Sequence, residues 1–275
     1  MVGVLNVTPD SFYDGGSYPT VEAALARASE MADEGAAVID VGGESTRPAG
    51  AAYGAGAGAV PADVEIDRVV PVIEGIVRTL PHVLVSVDTY KGEVARAALR
   101  AGAHIVNDVG GVREGVGTAR AAADYGAPLV VMHAIGRPGA FPHTGDYADV
   151  VGQVIDGLER SIRAAAAAGV RDIIVDPGFG FGKGTDQNLV LLRHLDRVVA
   201  LGRPVLVGLS RKRTAGVLAS GEEAAPAPVG ERLHASLGLA AAAAARGAML
   251  VRAHDVAATV GLLRAMGAVA AGGAG

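Results

Sequence analysis

Polar residues capable of acid–base or ligand chemistry recur where short apolar segments of this 275-residue chain end. They are Asn6, Asp40, Asp88, Asn107, Asp108, His133, Asp176, Ser210, Arg252 and His254. A carboxylate or amide at the end of a buried strand must be hydrogen-bonded or face water. Asp88 is followed by Thr89, and Asn107 is followed by Asp108; Thr89 and Asp108 are residue types that can cap the next helix. The pattern favours a ligand role for Asp88 and Asn107 and a capping role for Thr89 and Asp108.

Cationic residues form two groups that could bind an anion. Arg47 lies in the segment DVGGESTRPAG, where a guanidinium can pair with phosphate or carboxylate. The cations at 211–213 follow the seventh apolar segment, and Arg252 and His254 are two residues apart, which places both on one side of a strand. These residues predict an anion site. The alternatives are a solvated arginine for Arg47 and a salt-bridged surface cluster for the others.

A glycine-rich segment, DPGFGFGKGTDQN at 176–188, resembles a nucleotide P-loop only in composition. Its glycines are too closely spaced for the pattern G-x-x-x-x-G-K-[ST]. They predict that a flat ligand lies against the backbone, with Phe179 or Phe181 near a ring, whereas the alternative for either phenylalanine is packing at the top of the fold. The sequence has no G-x-S-x-G turn that would present a nucleophile and no spacing of His, Asp or Glu typical of a zinc site.

The elements that carry these residues alternate regularly. Eight apolar segments are separated by stretches with helical periodicity, and they are continuous, as in parallel strands buried on both faces. Eight such units predict a single-domain α/β fold, a (β/α)8 TIM barrel over residues 1–268, with a disordered tail over 269–275. A doubly wound open sheet is the alternative, but its G-x-G-x-x-G turn is absent. Because the carboxyl ends of barrel strands meet on one face, the polar residues should converge there.

Four of the predicted helices close on a glycine, the residue best suited to a left-handed C-terminal cap. They span 20–36, 146–170, 186–202 and 231–247.

The composition excludes several classes of protein. The chain has no Cys, so it can form neither disulfides nor thiolate metal sites. Its net charge of -5 gives no support for nucleic-acid binding, and no apolar run reaches the ~18–20 residues of a membrane span. No secretory signal precedes the first apolar segment. A cytoplasmic protein without a nucleic-acid or membrane partner is therefore expected.

Lysine and asparagine are scarce. Only three of each occur, in a composition rich in Ala, Gly and Arg. This bias predicts that the six are retained for specific roles rather than as surface residues: Lys91, Lys183, Lys212, Asn6, Asn107 and Asn188.

Seven segments, in order along the chain, match the dihydropteroate synthases: NVTPDSFYDGG, DVGGESTRPAG, VSVDTY, IVNDV, DPGFGFGK, GLSRKR and VRAHDV. The chain resembles this pterin-binding family along nearly its whole length. The resemblance implies a (β/α)8 barrel that forms a homodimer, uses Mg²⁺ and binds sulfonamides at the aminobenzoate position. It implies the condensation of 6-hydroxymethyl-7,8-dihydropterin diphosphate with 4-aminobenzoate, a step of folate biosynthesis that yields 7,8-dihydropteroate and diphosphate.

The resemblance also implies residue roles. Four residues would hold the pterin: Asp88, Asn107, Asp176 and Lys212. Carboxylates suit the donors of a pterin edge, the ammonium suits its carbonyl and ring nitrogen, and an amide suits either kind. Three residues match the positions for diphosphate and Mg²⁺: Asn6, which would be the metal ligand, Arg252 and His254. Residues of two closing loops would shape the aminobenzoate pocket: Phe12, Asp14, Thr46, Arg47, Pro48 and Phe181.

The mechanism that the resemblance implies is dissociative. Diphosphate leaves first, a cation delocalised over the pterin is stabilised by Asp88, and the aryl amine then attacks. The residues implied to be catalytic are Asp88, Lys212, Arg252 and His254. No protein nucleophile is needed, which agrees with the absence of a nucleophile motif.

The chain departs from the family's pattern at two places. The segment AGAAYGAGAGA after Pro48 is longer than expected, and Arg213 stands where many members carry a small hydroxyl residue. Two other functions remain open: a pterin-binding module of the methyltransferase kind and a catalytically inactive paralogue. The segments STR and RAH argue against the first, and the presence of Asp88, Lys212 and Arg252 argues against the second.

Overall fold

The computed structural model describes residues 1–8, 20–44, 60–112, 115–136, 141–142 and 144–271. Within these ranges the chain contains eight strands: β1 Val2–Asn6, β2 Val38–Gly42, β3 Leu84–Asp88, β4 Ile105–Asp108, β5 Leu129–Met132, β6 Ile173–Asp176, β7 Leu206–Gly208 and β8 Leu250–Ala253. The described helices are α1 Val21–Asp33, α2 Ala62–Thr79, α3 Gly92–Arg100, α4 Gly117–Tyr125, α5 Val150–Ala167, α6 Thr185–Arg193, α7 Leu195–Val199, α8 Arg213–Ser220, α9 Leu233–Ala244 and α10 Val256–Ala271. A short 3-10 helix, Val229–Glu231, precedes α9.

The strands form one parallel sheet that curves into a nearly closed barrel. Their order is β6-β5-β4-β3-β2-β1-β8-β7. The two ends of this order meet at a single bridge between Val175 and Val205, where the amide of Val175 donates to the carbonyl of Pro204 at 3.0 Å. The predicted (β/α)8 fold is confirmed.

The barrel interior changes from apolar to polar along its axis. Its lower end is filled by Val2, Val38, Ile105, Val130 and Leu206, against which Ile174 and Leu250 pack. Side chains two residues further along a strand face the same side. The next inward positions therefore include Asp40, Asn107, Asp176 and Arg252, which bring polar and charged side chains into the barrel, and also Val4, Met132 and Gly208.

Helix ends follow local sequence signals. The hydroxyl of Thr20 accepts from the amide of Ala23 at the start of α1, and the carboxylate of Asp149 accepts from two amides at the start of α5. Gly35 and Gly169, which follow these helices, have φ of 99° and 98°, conformations that glycine adopts without strain. The glycine-terminated helices predicted around 20–36 and 146–170 are confirmed.

Two predicted boundaries need correction. The single helix predicted over 186–202 is divided into α6 and α7 at His194, whose φ of −109° and ψ of 28° are not helical. The last helix continues to Ala271, because its alanine-rich sequence favours helix up to that point. Residues 269–271 of the predicted tail are therefore helical, and 272–275 lie outside the described residues. Among the described helices, none has the length and apolar character needed to cross a membrane.

Candidate active site

Four neighbouring strands bring side chains to one level at the mouth of the barrel. The register pairs Asn6 of β1 with Gly42 of β2, and Gly42 with Asp88 of β3. Asp88 in turn pairs with Asn107 of β4. A Cβ atom at Gly42 would lie 3.5 Å from Cβ of Asp88 and 3.6 Å from Oδ1 of Asn6. Glycine thus keeps the space between these two side chains open.

Arg252 reaches from β8 to two carboxylates. Its Nε donates to Oδ2 of Asp40 at 2.6 Å, and its Nη2 donates to Oδ2 of Asp88 at 2.7 Å. Burial alone would lower the pKa of Arg252, but the charges of Asp40 and Asp88 outweigh burial and raise it. Burial raises the pKa of Asp88 to about 7, with Arg252 opposing the shift and Asp40 adding to it. Asp88 therefore titrates near neutral pH.

Asp40 links this pair to Asn107. Its Oδ2 also accepts from Nδ2 of Asn107 at 3.0 Å, so one oxygen receives two donors from different strands. The Oδ1 atoms of Asp40 and Asp88 are buried and accept no hydrogen bond from the described residues. At the mouth of the barrel, Oδ1 of Asp88 is thus an acceptor that a bound molecule with an N–H group could satisfy.

Asp176 and Lys212 form the opposite side of the mouth. Oδ1 of Asp176 accepts from the amide of Gly178 at 2.7 Å, and Nζ of Lys212 donates to the carbonyl of Phe179 at 2.5 Å. Burial raises the pKa of Asp176, and the charge of Lys212 opposes this. Burial lowers the pKa of Lys212 to about 8, against the attraction of Asp176. The charges of Asp88 and Arg252 also act on Lys212, which places all four groups in one electrostatic cluster.

The two phenylalanines of the glycine-rich segment have different surroundings. Phe179 is 2% exposed and belongs to the main core. For this residue the structure therefore favours the alternative interpretation, a packing role. The ring of Phe181 lies edge-on to Phe141 with centroids 5.1 Å apart, and Nζ of Lys212 lies 4.4 Å from its centroid. Phe181 is therefore the aromatic side chain of this segment that borders the charged cluster.

The predicted cluster of cations at 211–213 is not a single site. Arg211 has a left-handed backbone (φ 58°), and its guanidinium forms two hydrogen bonds with Asp255, at 2.9 and 2.5 Å. Arg213 pairs with Glu223 at the surface at 2.9 Å. Only Lys212 of the three lies in the charged cluster. The three side chains leave this turn in different directions and therefore have different partners.

His254 lies beside the end of β7. Its amide donates to Oγ of Ser210 at 3.2 Å, and its Nδ1 is 3.1 Å from the same oxygen. Two strand-end polar residues are thereby joined across β7 and β8. The helix-capping role predicted for Thr89 and Asp108 is wrong, because the N-cap residues of α3 and α4 are Lys91 and Val116. Both side chains stabilise turns instead: Asp108 accepts from the amides of Gly110 and Val112 and from Thr118, and Thr89 accepts from the amide of Lys91.

Two lysines anchor loops around the mouth. Lys91 forms ion pairs with Glu44 and with Glu65, and the distance to Glu65 is 2.5 Å. Glu44 also accepts from the hydroxyl of Tyr90 at 3.0 Å. Nζ of Lys183 is buried and donates to the carbonyls of His133, Gly178 and Phe181 at 2.9 to 3.2 Å.

Sequence reasoning placed Asp40 at a strand end and expected Lys91 and Lys183 to have specific roles, but it did not say what these three residues do. The feature of the sequence that could have indicated a role for Asp40 is its position: it is the charged residue of an otherwise apolar strand, two residues before Gly42. Five predicted site residues lie outside the described residues: Phe12, Asp14, Thr46, Arg47 and Pro48. Among the described residues, no group of three His, Asp or Glu side chains is arranged to hold a metal.

Comparison with known proteins agrees with this geometry. The profile of the family described as pterin binding enzyme matches residues 2–254. The dihydropteroate synthase of Streptococcus pyogenes serotype M6 is 48% identical over 259 residues, which cover 93% of this chain and 90% of that protein.

Two solved structures have the same fold. The dihydropteroate synthase of Xanthomonas albilineans with 4-aminobenzoic acid is 47% identical, with a TM-score of 0.87 and coverage of 98% of this chain and 92% of that one. The Yersinia pestis dihydropteroate synthase in a sulfonamide complex is 38% identical, with a TM-score of 0.87 and coverage of 98% and 93%. The family match, the sequence identities and the shared fold show that the chain belongs to the pterin binding enzymes and is one of their dihydropteroate synthases.

Proposed function

We propose that this dihydropteroate synthase joins 4-aminobenzoate to 6-hydroxymethyl-7,8-dihydropterin diphosphate and releases diphosphate. The observation that carries the proposal is the mixed cluster at the barrel mouth, in which buried carboxylates, an amide and two cations face one another. A pterin edge offers donors and acceptors side by side and can satisfy such a cluster. The 4-aminobenzoic acid bound in the Xanthomonas structure supports the second substrate.

Four residues are proposed to hold the pterin: Asp88, Asn107, Asp176 and Lys212. The unpaired Oδ1 of Asp88 would accept from a ring or amino N–H group of the pterin. Lys212 would move from the carbonyl of Phe179 to the pterin carbonyl, exchanging one acceptor for another. Asp176 is held toward its own loop by Gly178 and would use its second oxygen.

The diphosphate is proposed to bind at Asn6, Arg252 and His254. The guanidinium of Arg252 uses Nε and Nη2 for Asp40 and Asp88, and the described residues give Nη1 no acceptor. Nη1 is therefore the atom of Arg252 suited to a phosphate oxygen. Arg47 is proposed to add a second guanidinium.

Mg²⁺ is proposed to enter with the diphosphate. The described residues offer Mg²⁺ one hard ligand at the mouth of the barrel, Oδ1 of Asn6. Among the described residues, no group of three His, Asp or Glu side chains could hold the ion without the substrate. The ion would therefore be held jointly by Asn6 and the diphosphate. Mg²⁺ commonly takes few protein ligands together with substrate phosphates and water. When bound, it would neutralise charge on the leaving group.

The proposed chemistry is dissociative. Arg252 and His254 stabilise the departing diphosphate, and the negative charge of Asp88 faces the cation that develops on the pterin methylene and ring. The aryl amine of 4-aminobenzoate then forms the new C–N bond and loses a proton. Thr46, Arg47, Pro48 and Phe181, with Phe12 and Asp14, are proposed to form the pocket that orients this amine.

Diphosphate release tests the proposal. The purified protein, supplied with the pterin diphosphate, 4-aminobenzoate and Mg²⁺, should release diphosphate, and EDTA should stop the reaction. A sulfonamide should compete with 4-aminobenzoate. Intact, folded protein that releases no diphosphate under these conditions would overturn the proposed reaction.

We also propose a cytoplasmic homodimer in which a second copy covers the exposed apolar face of α10. Within α10 the only charged side chain is Arg264, and Val269 is 81% exposed. Gly261 is exposed on this helix with open space around its Cα, so Gly261→Glu adds a charge without a clash. Sedimentation should show a dimer that this variant dissociates, while Arg163→Glu on the exposed face of α5 leaves it intact. A monomeric unmodified protein would contradict the proposal.

A further inference from the structure

We infer that Asp40 is a positioning residue that fixes the orientation of both Asn107 and Arg252 beneath the pterin site. This inference rests on the dihydropteroate synthase site proposed above. It concerns a residue that lies below the mouth of the barrel and outside the predicted site.

Asp40 lies deeper in the barrel than Asp88 and Asn107, two of the residues proposed to hold the pterin. Its side chain is 1% exposed, and it lies two residues below Gly42, the β2 residue at the level of Asp88 and Asn107. At its own level it pairs with Ser86 of β3. Its hydrogen bonds with described residues go to Asn107 and Arg252, and the inferred effect of Asp40 on the reaction passes through these two side chains.

The first of these side chains is Asn107. An Asn amide has a donor end and an acceptor end of nearly the same shape, and its hydrogen-bond partners decide which way it points. The carboxylate of Asp40 only accepts, so Nδ2 of Asn107 must face it, and the two atoms Nδ2 and Oδ2 are 3.0 Å apart. Oδ1 of Asn107 then points away from Asp40. A ligand that meets this oxygen must offer a donor, which narrows the earlier expectation that Asn107 could serve either kind of group.

The second side chain is Arg252. A guanidinium donates in a fixed planar fork, so the bond from Nε to Asp40 and the bond from Nη2 to Asp88 together fix its plane. The carboxylates lie on β2 and β3, so the guanidinium cannot rotate without losing one of them. Asp40 thus holds the cation against Asp88 and leaves Nη1 for an anion.

Both bonds end on the same oxygen, Oδ2 of Asp40. Loss of the charge at position 40 would therefore loosen Asn107 and Arg252 together. Asp40→Asn keeps the size of the side chain and an oxygen that can accept, but it removes the negative charge that strengthens both bonds. We expect kcat/KM for the pterin diphosphate to fall roughly 10- to 100-fold, the range of a charge-assisted hydrogen bond. The KM for 4-aminobenzoate at saturating pterin should stay within about 2-fold, because neither positioned side chain is assigned to that substrate.

Ser86→Ala is the matched control. Ser86 is buried at the same level of the barrel, on the neighbouring strand, and makes no hydrogen bond to Arg252 or Asn107. Its kinetic constants should remain within about 2-fold of the unmodified protein. Equal losses in the two variants would show that any change in this layer disturbs the site, and the inference would fail.

A double-mutant comparison separates positioning from general damage. If Asp40 acts partly through Asn107, Asp40→Asn should reduce kcat/KM at least about 3-fold less in an Asn107→Ala background than in the unmodified protein. Full additivity of the two losses would contradict the role assigned to Asn107.

NMR of the unmodified protein provides a test that does not depend on the variants folding. The chain has three Asn and two Gln, so only five side-chain amides contribute signals. The Asn107 amide should show one proton in slow exchange with water, and the Nε–H of Arg252 should also exchange slowly. Rapid exchange at both groups would overturn the inference. Absence of turnover, by contrast, would contradict the proposed reaction and leave this measurement valid.

Discussion

Replacing Asp88 by Asn tests how the carboxylate contributes to the reaction. The substitution preserves shape but removes the charge that faces the developing pterin cation. It also turns the ion pair with Nη2 of Arg252, 2.7 Å long, into a hydrogen bond to a neutral group. Asp40 remains as the second carboxylate of Arg252, at 2.6 Å, so the guanidinium keeps a charged partner.

The two kinetic constants should respond differently to Asp88→Asn. In the ground state the pterin loses at most one favourable hydrogen bond, about 0.5–1.5 kcal/mol, so affinity should fall about 2- to 10-fold. The cation exists only in the transition state, where the loss of a charged partner costs about 1.5–3 kcal/mol. We therefore expect kcat to fall roughly 10- to 150-fold, measured by diphosphate release at saturating substrates.

Asp108→Asn is the control for losing a buried carboxylate at the end of a strand. Asp108 is 2% exposed, and its hydrogen bonds with described residues go to its own turn and to Thr118. This variant should lower stability and leave kcat of the folded protein unchanged. If Asp88→Asn keeps full kcat and weakens only pterin binding, Asp88 positions the ring and the electrostatic role is wrong.

Three further predictions follow from the cluster and its surroundings. The value of kcat/KM should rise with pH through about 7, because Asp88 loses its proton there, and fall above about 8, because Lys212 loses its proton. A value of kcat/KM that stays constant between about pH 6 and 9 would contradict these assignments. Lys91→Met should lower the free energy of unfolding, measured in urea, by about 3 kcal/mol, because Glu44 and Glu65 are 3% and 1% exposed and would lose their cation. The control Arg163→Met breaks an exposed ion pair and should lower it by less than about 0.5 kcal/mol. Equal losses in the two variants would refute the anchoring role of Lys91. Arg213→Ser should change kcat/KM and the sulfonamide inhibition constant by less than about 2-fold, because Arg213 pairs with Glu223 at the surface; a larger change would place this guanidinium in the aminobenzoate pocket.

The sequence predicted the fold because barrel strands leave a strong local signal. Continuous apolar segments such as the one that became β5 are buried on both faces, and their regular spacing requires a crossover helix between each pair. The same logic placed Asp88 and Asn107 at one level, since polar residues that end parallel strands must meet at one face.

Contacts between distant segments could not be predicted in this way. One partner of Arg252 is Asp40, 212 residues away, and only the closed barrel brings them together. Local backbone geometry was equally hidden: the left-handed conformation of Arg211 turns its side chain to Asp255, so adjacent cations in the sequence have different surroundings.

The scarcity of lysine and asparagine was an informative signal. Lys183 and Asn188 are 2% and 3% exposed, and both bind backbone atoms of the glycine-rich segment. The prediction that these residues are not surface residues is confirmed for both. Composition could not reveal their partners, which are carbonyl and amide groups oriented by the folded loop.

The most direct test of the proposed reaction is the stoichiometry of its products. The purified protein should convert 6-hydroxymethyl-7,8-dihydropterin diphosphate and 4-aminobenzoate, with Mg²⁺, into equal amounts of 7,8-dihydropteroate and diphosphate, measured together by mass spectrometry and a diphosphate assay. Lys212→Met should lose both products in parallel. Diphosphate formed without dihydropteroate, or pterin bound without either product, would contradict the synthase mechanism.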